Sequence, residues 1–447
     1  MNNNYIIKNI SIVNEGKIAV SDIYIHEGII QKIGNDIHHE NAGIIDGTGK
    51  YLFPGIIDGQ VHFREPGLTH KADLYSESKA AVAGGVTSFI DMPNTLPNVL
   101  NMDILNEKYK LAAEKSLANF GFFLGVNGGN IDEIIKLDTS GLLAVSDDGL
   151  YFSGKGNLLA DNPETLEKLF ANCKSIIAIH SEKEQIIEEN EKIYRDKYGE
   201  EVPVECHPLI RSEQACFEAT KRAIELANKH NARLHILHLT TEAETHLFRN
   251  DTPLEEKKIT TEVSVHHLWF SDKDYGRLGT LIKWNPAIKT EKDKTGLLKA
   301  LIDDRIDIVT TDHAPHTLEE KQKSYFKSMS GAPIIQHSLN IMLEFYYQGL
   351  ISLEKIVEKM AHNPAKLYSI ENRGYVREGY YADLTIVDLN QQYTVDKSNN
   401  LTKCGWSPLE GTTFHSMITH TFVNGNLVYD NGVFNEASRG MPLVVKK

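Results

Sequence analysis

The chain has 447 residues, 41% of them hydrophobic, so it can build one large α/β domain with a smaller one beside it, and disorder is not the default. A formal net charge of −14 with no basic run argues against nucleic acid and anionic membranes as partners, and an anionic substrate would need local Arg or Lys. Cys173, Cys206, Cys216 and Cys404 lack C-x-x-C spacing, and no apolar stretch approaches the roughly 20 residues of a spanning helix; a reduced, cytoplasmic protein is expected.

The first fifty residues are short alternating runs broken by turn signals, YIIKNISIVNEGK, AVSDIYIHEG and IIQKIGNDI, which is a strand pattern. From about Gly374 the style returns in ADLTIVDLN and THTFVNGNLVYDNG, where Asn424-Gly425 and Asn431-Gly432 are hairpin-turn signals. Residues 1–53 and 370–447 are therefore expected to form one composite β domain.

Between them, residues 54–369 alternate apolar runs with helical stretches. The runs are IIDGQVHF, VTSFIDM, FGFFLGV, LLAVSDD, SIIAIH, RLHILHL, ITTEVSV and IDIVTTD; NEKYKLAAEKSLA, PETLEKLFANC and EQACFEATKRAIELANKH carry helix formers at helical spacing. This predicts a (β/α)8 barrel. His62, Asn94, Asp148, His180, His238, His266 and Asp312 each fall at or just beyond the end of a run, where barrel active sites are built. SGKGNLLADN and TLEEKQKSYFKSMSG read as long loops over the mouth, the usual place for lids.

Zinc accepts imidazole and carboxylate, and a catalytic site uses about three protein ligands plus an open position. His62, Asp148, His180, His238 and Asp312 supply five such donors from different strands. Singly, each has a plain alternative as a capping or solvent-facing residue; their convergence on one mouth gives the set its weight. His235 lies three positions before His238, on the other side of a period-two strand, and is given no metal role. In TTDHAPH, Asp312 reads either as a helix cap or as a proton carrier. Arg64 shares the strand face of His62 and reads either as a surface ion pair or as a bidentate carboxylate clamp. Asn94 sits in a Pro-punctuated turn that Asn also favours for conformational reasons.

HFREPGLTHKADLYSESKAAVAGGVTSFIDMPNT, with HILHLT, EVSVHHL, KWNPAIK and TTDHAPHT, resembles dihydroorotase of the barrel-containing amidohydrolase superfamily over nearly the whole chain. The resemblance implies a zinc-dependent, reversible cyclisation of N-carbamoyl-L-aspartate to L-5,6-dihydroorotate in pyrimidine synthesis. It implies His62 as the second histidine of an H-x-H pair, His180 and His238 as ligands, and Asp312 as ligand and general base. Arg64, Asn94, Asn285 and His316 would contact substrate.

The departures are specific. Gln60 replaces the first histidine of the pair, offering a neutral and weaker oxygen. Asp147 and Asp148 stand where many relatives carry a carboxylated lysine, and Asp148, next to the glycine, is the favoured ligand; Lys155 lies beyond the strand end. Lys289 stands where arginine is usual, and Gln336-His337 replaces a Gly-Leu-Glu pattern. These losses favour one zinc over two. Two other readings stay open: a silent homologue serving as a structural partner of aspartate carbamoyltransferase, and a different cyclic-amide hydrolase of hydantoinase or allantoinase type. Self-association is compatible with all three.

Overall fold

The computed structural model describes residues 4–139, 141–147 and 163–446. Its centre is a closed ring of parallel strands. In chain order they are Ile56–Val61, Val86–Asp91, Asn119–Phe122 continuing into Leu124–Gly125, Val145–Ser146, Ile177–Ile179, Leu234–Ile236, Ile259–Ser264 and Ile308–Thr310. Registers such as Val145↔Ile177, Ile177↔Leu234 and Leu234↔Ile259 keep neighbouring strands level, so their carboxyl ends open on one face. The ring closes where Val61 pairs with His313 and the His62 N–H donates to the His313 carbonyl at 2.8 Å. This is the (β/α)8 barrel that the alternating pattern predicts.

The covering helices form for local reasons. Asn101 caps Met102–Lys115 by accepting from the Ile104 N–H, and Ser212 caps Glu213–His230 by accepting from the Ala215 N–H. The second helix ends at Asn231, whose φ of 54° is the left-handed stop that Asn tolerates. Its buried face, Ala215, Cys216, Thr220, Ala223, Leu226 and Ala227, repeats at helical spacing against the strands.

Both chain ends share one mixed sheet. Tyr51–Pro54 pairs in parallel with Tyr5–Asn14 and antiparallel with Leu384–Asp388, which joins the two ends through Leu384↔Pro54. Ile7, Ile10, Ile23, Ile25, Leu384, Ile386 and Phe422 fill its core. At the Asn424-Gly425 turn both residues take positive φ, 50° and 72°, and a Cβ on Gly425 would meet the Gly28 Cα at 2.5 Å, so glycine is required there. After Val433–Phe434 the tail leaves this sheet and lies along the third barrel strand, where the Leu443 N–H donates to the Phe120 carbonyl at 2.8 Å.

Candidate active site

The open face of the barrel holds a cleft lined by His62, Arg64, Asn94, His180, His238 and Asp312, among others. Its first wall is built by strands one, two and eight. His62 presents Nδ1 to the Asn94 Oδ1 at 3.0 Å and Nε2 to the Asp312 Oδ1 at 3.0 Å, so both edges of the ring face oxygen. Two residues on, Arg64 donates from Nε to the Pro315 carbonyl at 3.1 Å and faces the His316 Nε2 through Nη2, also at 3.1 Å. Asp312 and Arg64 adopt φ of 45° and 67°, and His238 on the opposite wall 34°. Left-handed backbone at non-glycine residues costs on the order of 1–3 kcal/mol each, and surrounding contacts must hold such strain in place.

The second wall is built by strands four to six. The Asp147 Oδ1 lies 2.8 Å from the His180 Nδ1 and also accepts from the His180 N–H at 3.1 Å, fixing the ring from behind. The His180 and His238 rings lie 4.9 Å apart between centroids. Burial above all, then the neighbouring His180 and His267, pushes the His238 imidazole well below the ordinary histidine range. It is therefore neutral near pH 7, the form that binds metal. His235 is turned away, against the Glu262 Oε2 at 3.0 Å and the Thr260 Oγ1 at 2.9 Å, and takes no part.

Residues 51–428 match the sequence pattern of the amidohydrolase family. The chain belongs to the amidohydrolase family. It is 33% identical over 416 residues to a dihydroorotase of Methanosarcina acetivorans, covering 91% of this chain and 88% of the relative. To a dihydroorotase of Pyrococcus furiosus it is 32% identical over 444 residues, covering 97% and 96%. Among solved structures, an L-hydantoinase (dihydropyrimidinase) from Arthrobacter aurescens matches with a TM-score of 0.89 at 27% identity, covering 99% of this chain and 100% of the other. The protein is a cyclic amidohydrolase.

The donor chemistry at the mouth fits a metal ion. Two adjacent imidazoles, His180 and His238, face a wall bearing the His62–Asp312 pair. Among the described residues, fully buried Gln60 finds no hydrogen-bond partner for its Oε1 or its Nε2. A buried polar group left unpaired costs about 1–3 kcal/mol, and an ion at the carbonyl oxygen would remove the oxygen's share of it. Among the described residues no three His, Cys, Asp or Glu side chains already converge as a preassembled centre. Asp148, the favoured strand-four ligand, and Lys155 lie outside the described residues, as does the SGKGNLLADN loop; of the two aspartates, Asp147 is the one seen behind His180.

Of the other substrate candidates, Asn285 precedes the cis bond to Pro286 and its buried Oδ1 has no partner among the described residues, while His316 is buried behind Arg64. Lys289 turns its Nζ to the Ala287 carbonyl at 3.0 Å. The TLEEKQKSYFKSMSG segment is lashed down. Lys283 Nζ donates to the Tyr325 and Ser328 carbonyls at 2.8 and 2.7 Å, and Lys321 Nζ to the Lys283 and Met329 carbonyls at 3.0 and 2.8 Å. Sequence reasoning missed Lys71, Arg211 and Lys283, which also line the cleft. Nothing in a lone lysine or arginine signals that it will be buried.

Proposed function

We propose that the chain catalyses the reversible cyclisation of N-carbamoyl-L-aspartate to L-5,6-dihydroorotate. The observation that carries this reading is the buried Arg64 guanidinium, which lines the cleft with Asn94 and lies against His316. A cyclic amide bearing a carboxylate can take a charge-assisted hydrogen bond from Arg64, an interaction that a neutral hydantoin does not offer.

Arg64 and Asn94 orient the substrate carboxylate, and Asn285 meets the ring. In the opening direction Asp312 takes a proton from the attacking water and passes it to the departing ring nitrogen. In the closing direction it takes the carbamoyl N–H proton and gives it to the departing oxygen. Such positioned proton transfer contributes roughly 10²–10⁴-fold. His180 and His238, with His62, Asp312 and Asp148, would hold one zinc ion. When bound, zinc supplies a water acidified to a pKa of about 7 and polarises the carbonyl. A cytoplasmic location and self-association go with this reading, and it is compatible with association with aspartate carbamoyltransferase.

The test is cyclisation of N-carbamoyl-L-aspartate by pure, zinc-reconstituted protein, with a His180→Ala, His238→Ala double variant as control. Turnover that the double variant lacks supports the reading. Well-folded, zinc-supplied protein without turnover moves the assignment to the silent transferase partner. Hydrolysis of hydantoin in preference to dihydroorotate moves it to the hydantoinase type, which the fold match to the Arthrobacter enzyme keeps in view.

A further inference from the structure

His316 sits between Arg64 and Lys71. Its Nε2 lies 3.1 Å from Arg64 Nη2 and its Nδ1 lies 3.0 Å from Lys71 Nζ, and all three side chains are buried. Lys71 Nζ in turn meets the Glu320 Oε1 at 2.9 Å, and the Glu320 Oε2 is 3.6 Å from the His316 Nδ1. Glu320 is itself fixed, accepting from the Thr317 N–H at 3.0 Å, and Trp406 holds the His316 carbonyl through its indole N–H at 2.8 Å.

A neutral imidazole has one N–H and one acceptor, and neither an Arg guanidinium nor a Lys ammonium can accept. If His316 Nε2 accepts from Arg64, the ring proton is on Nδ1 and faces Lys71, which can receive it only as a neutral amine. If Lys71 is an ammonium donating to Nδ1, the ring proton moves to Nε2 and points at an Arg64 N–H. The second arrangement becomes sound only when an acceptor enters between Arg64 and His316. A substrate carboxylate is such an acceptor, since it takes hydrogen bonds from both.

We propose that Lys71, held by Glu320, is a specificity-determining residue that couples binding of the substrate carboxylate to uptake of one proton. This rests on the dihydroorotase reading. In the free site Arg64 donates to His316 Nε2, Nδ1–H donates to the Lys71 amine, and the amine donates to Glu320. When the carboxylate arrives, a solvent proton converts Lys71 to the ammonium, which donates to Nδ1. The ring proton then sits on Nε2, and Arg64 and His316 both donate to the carboxylate. A neutral cyclic amide drives no such exchange and gains nothing from it. The charged or titratable groups around the pair are Arg64, Glu320, Lys321, Lys323 and, beside Glu320, His70 at 3.9 Å. Burial lowers the Lys71 ammonium from its ordinary range against the pull of Glu320, with Arg64 adding to the decrease.

The experiment is calorimetric titration of the zinc-reconstituted protein with orotate, an anionic ring that is not hydrolysed, at pH 8 in two buffers of different ionisation enthalpy. Dihydroorotate hydrolysis is measured alongside. The wild type should take up about one proton per orotate bound. Lys71→Met should bind orotate about 10-fold or more weakly, the scale of a lost charge-assisted bond, and take up none. Glu320→Gln keeps the lysine but removes its anchor, and should move the uptake to lower pH, which keeps the test decisive should Lys71→Met fold poorly. Wild type that turns over dihydroorotate and binds orotate, with both variants indistinguishable from it in affinity and uptake, overturns this inference alone. Wild type that does neither overturns the dihydroorotase reading together with it.

Discussion

The two walls of the barrel mouth carry similar residues and use them differently. On the wall from strands one, two and eight, the polar groups bond to one another: His62 to Asn94 and Asp312, Arg64 to His316, and Lys71 to His316 and Glu320. On the wall from strands four to six, carboxylates sit behind the histidines, at the ring of His180 and at the main chain of His238. Asp147 fixes the His180 ring through Nδ1, and the His238 main-chain N–H points toward the Glu262 Oε1 at 3.4 Å. A carboxylate on the far nitrogen is how a metal-ligating histidine is oriented and made more basic. On the proposed reading, the first wall serves substrate and proton transfer and shares His62 and Asp312 with the metal that the second wall would hold.

The largest effect should come from the first-wall residue proposed both to carry the proton and to help hold the metal. Asp312→Asn should lower kcat by about 10²–10⁴-fold with the fold kept, measured by steady-state turnover and circular dichroism, and a loss smaller than about tenfold would remove Asp312 from proton transfer. Arg64→Met probes the first wall alone. It should raise KM for dihydroorotate by about 10–100-fold, the worth of a charge-assisted carboxylate contact, and leave zinc affinity unchanged. Asp147→Asn probes the second wall. Zinc affinity, read by chelator competition, should fall by about 10–100-fold, while KM at saturating zinc stays near the wild-type value. If Arg64→Met weakens zinc, or Asp147→Asn raises KM, the division of labour between the walls is wrong.

The sequence exposes what recurs with a period and hides what depends on distant partners. The barrel was legible because β-branched runs such as ITTEVSV and helical stretches such as EQACFEATKRAIELANKH alternate with unmistakable spacing. His62, His180, His238 and Asp312 stood out because each ends such a run. The partners that set their chemistry did not stand out. Asp147 and Asp148 are adjacent in sequence, and only the folded strand shows Asp147 against His180. Lys71 and Lys321 read as ordinary surface lysines; they are buried because the segment after strand eight folds back across the mouth and offers them Glu320 and main-chain carbonyls. Trp406, ninety positions beyond His316, reaches its carbonyl from a turn segment far along the chain.

That same segment provides the smallest and most specific test. Lys283 anchors it through the Tyr325 and Ser328 carbonyls, with Nζ 4.6 Å from the Tyr325 ring centre. Burial above all, then the charge of Arg211, lowers the Lys283 ammonium to a pKa of about 7. The unfolded chain keeps an ordinary lysine near 10.4, so between about pH 7 and 10 the unfolded state binds the extra proton and this group makes stability rise with pH. Below pH 7 both states are protonated and the contribution is lost. The limiting slope is about 1.4 kcal/mol per pH unit. Lys283→Met removes this group's share of the slope and leaves the two loop carbonyls unpaired. Its deficit relative to wild type in urea unfolding should therefore be small at pH 6.5 and grow by pH 9. A deficit that does not change between these pH values would mean that Lys283 keeps its proton in the folded protein, and that the loop is held by an ammonium rather than by an amine.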